Sequence, residues 1–204
     1  MLAVGLGIRP AIAVTGAHPK LPVPPPAVPA PPAGQAIDAG LLQRAHAALA
    51  RHGARIAHRD TMAVVDFSAA SHVPRLHLVN LLGGATTTLL VAHGRGSDPG
   101  NTGWLERFSN RPGSNASSNG SYLTGDTYWG KHGVSRKLAG LDPENDAAEA
   151  RAIVIHAARY VSREMARDQG RIGRSQGCFA VSQDDLTRLI AALGPGRLLF
   201  ADKA

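Results

Sequence analysis

The sequence predicts a mainly β domain, mostly antiparallel, with a few surface helices. Three observations carry this. Three short runs of strand type, Met62–Phe67, Leu76–Leu82 and Thr87–Ala92, lie close together and are separated by turn residues. The stretch from Gly83 to Gly140 holds 12 of the 23 glycines together with much Ser, Asn and Thr, which excludes long helices and predicts short strands and shaped loops. Helical spacing of apolar residues recurs only at the two ends of the folded part.

The elements follow in order. Residues 1–16 are small and apolar with a lone arginine, too short to span a bilayer and broken by Pro10, and they resemble the tail of a secretory signal without its positive start. Residues 18–34 contain eight of the 14 prolines and are expected to form an extended spacer. Residues 1–36 are therefore read as an apolar leader and Pro-rich linker, disordered or processed, and 37–204 as the folded domain. Leu41, Leu42, Ala45, Ala48 and Leu49 recur at helical spacing and predict a helix to about His52. Gly83-Gly84 predicts a hairpin turn between the second and third runs. Arg151–His156 (RAIVIH) reads as a strand. Ser182, with Asp185 three residues on, predicts a capped helix that runs to Leu193 and is stopped by Gly194-Pro195; Arg197–Ala201 then closes the sheet.

Composition narrows the function. The formal net charge is +7 (22 Lys and Arg against 15 Asp and Glu), which suits work beside an anionic polymer. Only four Phe, two Trp and three Tyr are available to stack bases, and no nucleic-acid-binding pattern is present, so nucleic acid is not an expected partner. With 44% hydrophobic and 18% charged residues the chain is neither a disordered protein nor a transporter, and stable membrane insertion is not expected. One cysteine excludes a disulfide framework and a Cys-only zinc site.

That cysteine is the centre of the candidate chemistry. Cys178 ends the segment GRIGRSQGC, where glycines at 170, 173 and 177 let the backbone turn sharply. Gly177 would let an acyl group approach the thiol, and Arg171 and Arg174 are expected to favour the thiolate. A polar Gly/Arg/Ser loop is a poor place to bury a structural cysteine. A nucleophilic thiol needs a base, and His156 at the end of RAIVIH is favoured, on the face opposite Ile153 and Ile155. His93 and His132 also lie in glycine-rich surroundings. The successive spacings along His93, His132, His156 and Cys178 (39, 24 and 22 residues) fit no compact ligand pattern, so no metal and no cofactor are expected.

The segments IVIHAARYVS and GRSQGCFAVS resemble the histidine and Ser-x-Gly-Cys signature of YkuD-like L,D-transpeptidases, and FSN, SSNG, GKHG and IVIH in that order resemble the murein L,D-transpeptidase catalytic domain branch over roughly residues 60–185. The resemblance implies a β-sandwich or barrel of L,D-transpeptidase type and a cysteine acyltransferase of peptidoglycan stem peptides. By position Cys178 matches the nucleophile and His156 the general base, oriented by the carbonyl of Ala157. Ser175, Gln176 and Gly177 match the loop lining the acyl pocket, and Arg174 and His132 are candidate substrate contacts. Lys131 and Arg136 offer further positive charge to a carboxylate-rich peptide. Two departures concern substrate handling: Gln176 stands where the family commonly has His, and Ala180 where it commonly has Arg.

The implied reaction is attack of the Cys178 thiolate on the carbonyl before a terminal D-residue, then resolution of the thioester by an amine (cross-linking or exchange) or by water (L,D-carboxypeptidase trimming). The rivals are a non-catalytic cell-wall-binding domain of the same fold, and a protein-cleaving cysteine peptidase, whose familiar local signature is absent. The expected setting is the periplasm or cell wall, as an exported monomer.

Overall fold

The computed structural model describes Met1 and residues 36–204. The leader and linker assigned to 1–36 lie, apart from their two end residues, outside the described residues. Helix α1 (Ala39–Arg51) starts where predicted, because the Asp38 carboxylate accepts the Leu41 amide at 2.8 Å and satisfies an otherwise orphaned donor. It buries Leu41, Ala45 and Ala48 on Met62, Val64, Leu198 and Phe200.

Eight strands form one mixed sheet in the order β3-β2-β1-β8-β4-β5-β6-β7. They are β1 (Thr61–Asp66), β2 (Leu76–Asn80), β3 (Thr86–Leu89), β4 (Gly120–Gly130), β5 (Gly133–Gly140), β6 (Val154–Ala157), β7 (Phe179–Val181) and β8 (Leu198–Asp202). Five neighbouring pairs are antiparallel; β1–β8 and β6–β7 are parallel. The sheet curls until its edges meet. Beyond β3 the chain leaves β2 and bonds to β7, with the Ala92 amide donating to the Ala180 carbonyl at 2.8 Å. The enclosed core draws on both ends of the sheet: Phe67, Tyr122 and Phe179 pack ring to ring, Phe179 lying 6.2 Å from Phe67 and 5.2 Å from Tyr122.

The predicted class, with its peripheral helices, is the one observed. Differences concern extent. The glycine-rich stretch contains an 11-residue strand, β4, paired to β5 in a long hairpin. Gly120, Gly130, Gly133 and Gly140 mark the ends and turn of the hairpin, and Gly125 lies within a register shift between Thr124 and Thr127. The strand expected over 151–156 begins at Val154, because residues 147–152 close a turn and Ala152 has φ 54°. The third run stops pairing with β2 at Leu89. Helix α3 (Gln183–Ala192) carries the predicted Ser182 cap. Helix α2 (Arg163–Gln169) and β7 were not legible, being too short to show a period. No helix among the described residues is long and apolar enough to cross a membrane.

Candidate active site

Strand β6 presents its residues alternately. Ile153 and Ile155 enter the core, while Val154 and His156 line a cavity of about 650 Å³. Strand β7 runs parallel beside it, with Ile155 opposite Phe179 and His156 opposite Ala180. This register delivers Cys178, the residue just before β7, to the same cavity wall two residues along from His156. That His156 and Cys178 share a cavity wall is thus a consequence of one parallel strand pair.

His156 is buried, and its Nδ1 lies 2.8 Å from the Ala157 carbonyl. A carbonyl can only accept, so Nδ1 carries the proton and Nε2 keeps its lone pair. Burial holds the His156 pKa below the ordinary histidine value, and the stacked His132 and nearby Lys131 push the same way against the Ala157 carbonyl. His132 lies almost flat on His156, with ring centroids 4.1 Å apart and planes 16° off parallel. It occupies the two-residue turn Lys131-His132 joining β4 to β5, which brings the GKHG segment over the candidate base.

The cysteine loop is held from beneath. The Ser175 amide donates to the His93 carbonyl and its carbonyl accepts from the Arg95 amide, both at 2.9 Å. Ser175 Oγ donates to the Cys178 carbonyl at 2.7 Å and accepts the Gly177 amide at 3.1 Å. Ser175 therefore braces the loop, and the Gly177 amide is occupied instead of facing a ligand. Gly177 itself has φ 115°, and a Cβ there would meet the Ala116 carbonyl oxygen at 2.7 Å. That corrects the expected reason for glycine: its bare face points into the protein, and close packing excludes a side chain there.

The thiol also differs from expectation. Cys178 is half-buried, its Sγ lies 3.6 Å from the Ala152 carbonyl, and burial pushes its pKa up against the pull of the Val154 amide, Lys131 and Arg151. The loop arginines predicted to favour thiolate do not reach it. Arg171 points to the Gln169 carbonyl, while Arg174 lines the cavity but gives its guanidinium to the carbonyls of Asp98 and Pro99. With a raised thiol and a lowered histidine, the resting pair is neutral. Lys131 and Arg151, which line the same cavity, pull the Cys178 pKa down. Nothing in the sequence set Arg151 apart from the other basic residues.

Other candidates fall into place. Gln176 is exposed at the cavity rim. Ala180 is fully buried with Ala92 and Ile172, so that departure belongs to the core and offers nothing to a substrate. Arg136 is buried, donating to the carbonyls of Gly125 and Ile190, and cannot meet a peptide. His93 is wholly buried between Arg75 and Asp98, with Nδ1 2.8 Å from Arg75 Nη2 and Nε2 3.2 Å from Asp98 Oδ2. Arginine has no acceptor, so Nδ1 accepts and Nε2 donates. Burial, then the Arg75 charge, takes its pKa down to about 4. No cluster of three or more potential metal ligands occurs among the described residues.

The family model described as L,D-transpeptidase catalytic domain matches residues 33–201. No curated protein sequence matches the chain. Among solved structures the fold is similar to an L,D-transpeptidase from Mycobacterium smegmatis (TM-score 0.42, 10% identity, 70% of this chain and 58% of that one). It is likewise similar to one from Stackebrandtia nassauensis (TM-score 0.42, 15% identity, 72% and 57%). A third is L,D-transpeptidase 3 from Mycobacterium tuberculosis in complex with a faropenem-derived adduct (TM-score 0.43, 11% identity, 71% and 60%). The chain spans less than two thirds of the length of each.

Proposed function

The chain belongs to the L,D-transpeptidase catalytic domain family, and from that premise we propose that it is a cysteine-dependent acyltransferase of peptidoglycan stem peptides, exported to the periplasm or cell wall. The observation that carries the proposal is the shared cavity wall of Cys178 and His156, with the His156 lone pair left on Nε2 by the Ala157 carbonyl.

Because thiol and imidazole are neutral at rest, deprotonation accompanies attack. His156 Nε2 takes the Cys178 proton as Sγ bonds to the carbonyl carbon preceding the terminal D-residue. The carbonyl π electrons move to oxygen, and the Cys178 amide is the donor assigned to that oxyanion, since the Gly177 amide is held by Ser175. Collapse breaks the C–N bond; the proton on His156 passes to the departing amino group, leaving a thioester on Sγ and a neutral histidine. An incoming amine, deprotonated by the same histidine, attacks the thioester and regenerates the thiol with a new peptide bond. Water in its place gives the trimmed peptide.

Intact-mass analysis after incubation with tetrapeptide muropeptides tests this. Wild type is expected to gain the mass of a stem peptide less its terminal D-residue, and Cys178→Ala to gain none while keeping its fold. Turnover by a folded Cys178→Ala protein would refute the assignment. Cross-linked against trimmed product separates transpeptidation from carboxypeptidation, and absence of both acyl-enzyme and product favours the wall-binding rival.

A further inference from the structure

Arg151 takes no part in the steps above, yet it sits where their charge develops. Its two terminal nitrogens reach three acceptors on one loop: Nη1 donates to the Ser109 carbonyl at 2.9 Å and to Ser118 Oγ at 2.6 Å, and Nη2 donates to the Ala116 carbonyl. Three bonds to residues 109–118 hold the guanidinium in place. The same group packs on the backbone just before the thiol, since a Cβ at position 177 would come within 3.0 Å of Arg151 Nη2. Arg151 and Cys178 line the same cavity, and the Cys178 thiol points at the carbonyl of the residue that follows Arg151.

We infer that Arg151 is a positioning residue that keeps a fixed positive charge against the cysteine loop, so that negative charge on Cys178 Sγ is tolerated in a cavity that otherwise disfavours it. This rests on Cys178 being the nucleophile. The charged and titratable groups that line the cavity with Cys178 are Arg151, Lys131, His132, His156, Tyr128, Tyr160 and Arg174. Tyr160 is neutral, its pKa pushed up to about 12 by burial and then by negative charge on Cys178. Arg174 is engaged by backbone carbonyls, and His156 is held neutral. Lys131 is exposed on a hairpin turn, where solvent and salt screen it. Arg151 is half-buried and pinned, and a preorganised charge in a partly dry site counts for more than a mobile one in water. The lowering that burial imposes on its own pKa is opposed first by Tyr122 and then by Cys178.

The test is the pH dependence of Cys178 alkylation by iodoacetamide in the full chain, a neutral reagent that charge does not steer. Arg151→Met is expected to move the midpoint upward, and alkylation below the midpoint then slows about tenfold for each pH unit that the midpoint moves. Arg151→Lys should move it less, and Ser118→Ala, which removes one tether and keeps the charge, less again. A role in folding alone would lower the melting temperature of Arg151→Met and leave the midpoint in place. That result, in a variant with native near-ultraviolet circular dichroism, overturns the inference. If Arg151→Met does not fold, an unmoved midpoint in both Arg151→Lys and Ser118→Ala overturns it equally. Muropeptide acylation of the wild type decides separately whether Cys178 is the nucleophile, so a failure of that reading is distinguished from a failure of the role given to Arg151.

Discussion

Lowering the pH from 7.5 to 5 should destabilise this protein through His93. Its pKa is about 4 in the folded protein against an ordinary 6.5, because burial and the adjoining Arg75 charge both oppose the imidazolium. Between those values the unfolded chain binds a proton that the folded chain refuses. The stabilisation is therefore complete above pH 6.5 and is lost as pH falls toward 4. At pH 5 the difference is about 2 kcal/mol, rising to about 3 kcal/mol at the acid limit, from 1.36 kcal/mol per pH unit. For a domain of this size, 2 kcal/mol is a fall in melting temperature of about 4–8 °C. Burial also lowers His77, His132 and His156, which add to the slope in the same direction. The comparison is therefore wild type against His93→Gln, by urea denaturation at pH 7.5, 6 and 5. His93→Gln is less stable at pH 7.5 but should lose about 2 kcal/mol less on acidification. Parallel pH dependence of the two proteins would refute the reasoning. So would a His93 titration near 6.5 in the native nuclear magnetic resonance spectrum.

His156→Ala should reduce acylation of Cys178 by about 10²–10⁴-fold, measured as the pre-steady-state rate of acyl-enzyme formation. His132→Ala should keep acylation and move the acid limb of its pH–rate profile upward, since the stacked imidazole and the burial it gives both hold His156 down; a downward shift would contradict this. Gly177→Ala places a Cβ 2.7 Å from the Ala116 carbonyl at φ 115°, which should displace Cys178 and slow acylation on the order of 10²-fold, the effect of about 1 Å of misplacement. Gly84→Ala, also at positive φ but with nothing within 4 Å of its Cβ, should affect melting temperature alone.

Much of the molecule was written locally. Turn chemistry, capping and alternation mark α1, β1, β2, the hairpin at Gly84, α3 and β8, because each depends on neighbours within a few residues. Sequence also singled out Cys178, as the sole cysteine in a glycine-rich loop, and His156, at the end of an apolar strand, and the two line one cavity. Sequence could not show what the two face. Thiolate or thiol depends on burial and on cations from elsewhere in the chain: Lys131 comes from a distant hairpin turn, and Arg151 is held by Ser109, Ala116 and Ser118. Arg171 and Arg174, close to Cys178 along the chain, point elsewhere. Gly177 looked like an opening toward substrate and is a packing contact, because the sign of φ allows glycine without saying which way its missing side chain would point. The β6–β7 register, His132 on His156 and Arg75 against His93 all join residues 18 to 24 positions apart. Contacts of that span arise only when the strands pair into the sheet, and they set the charges of the site.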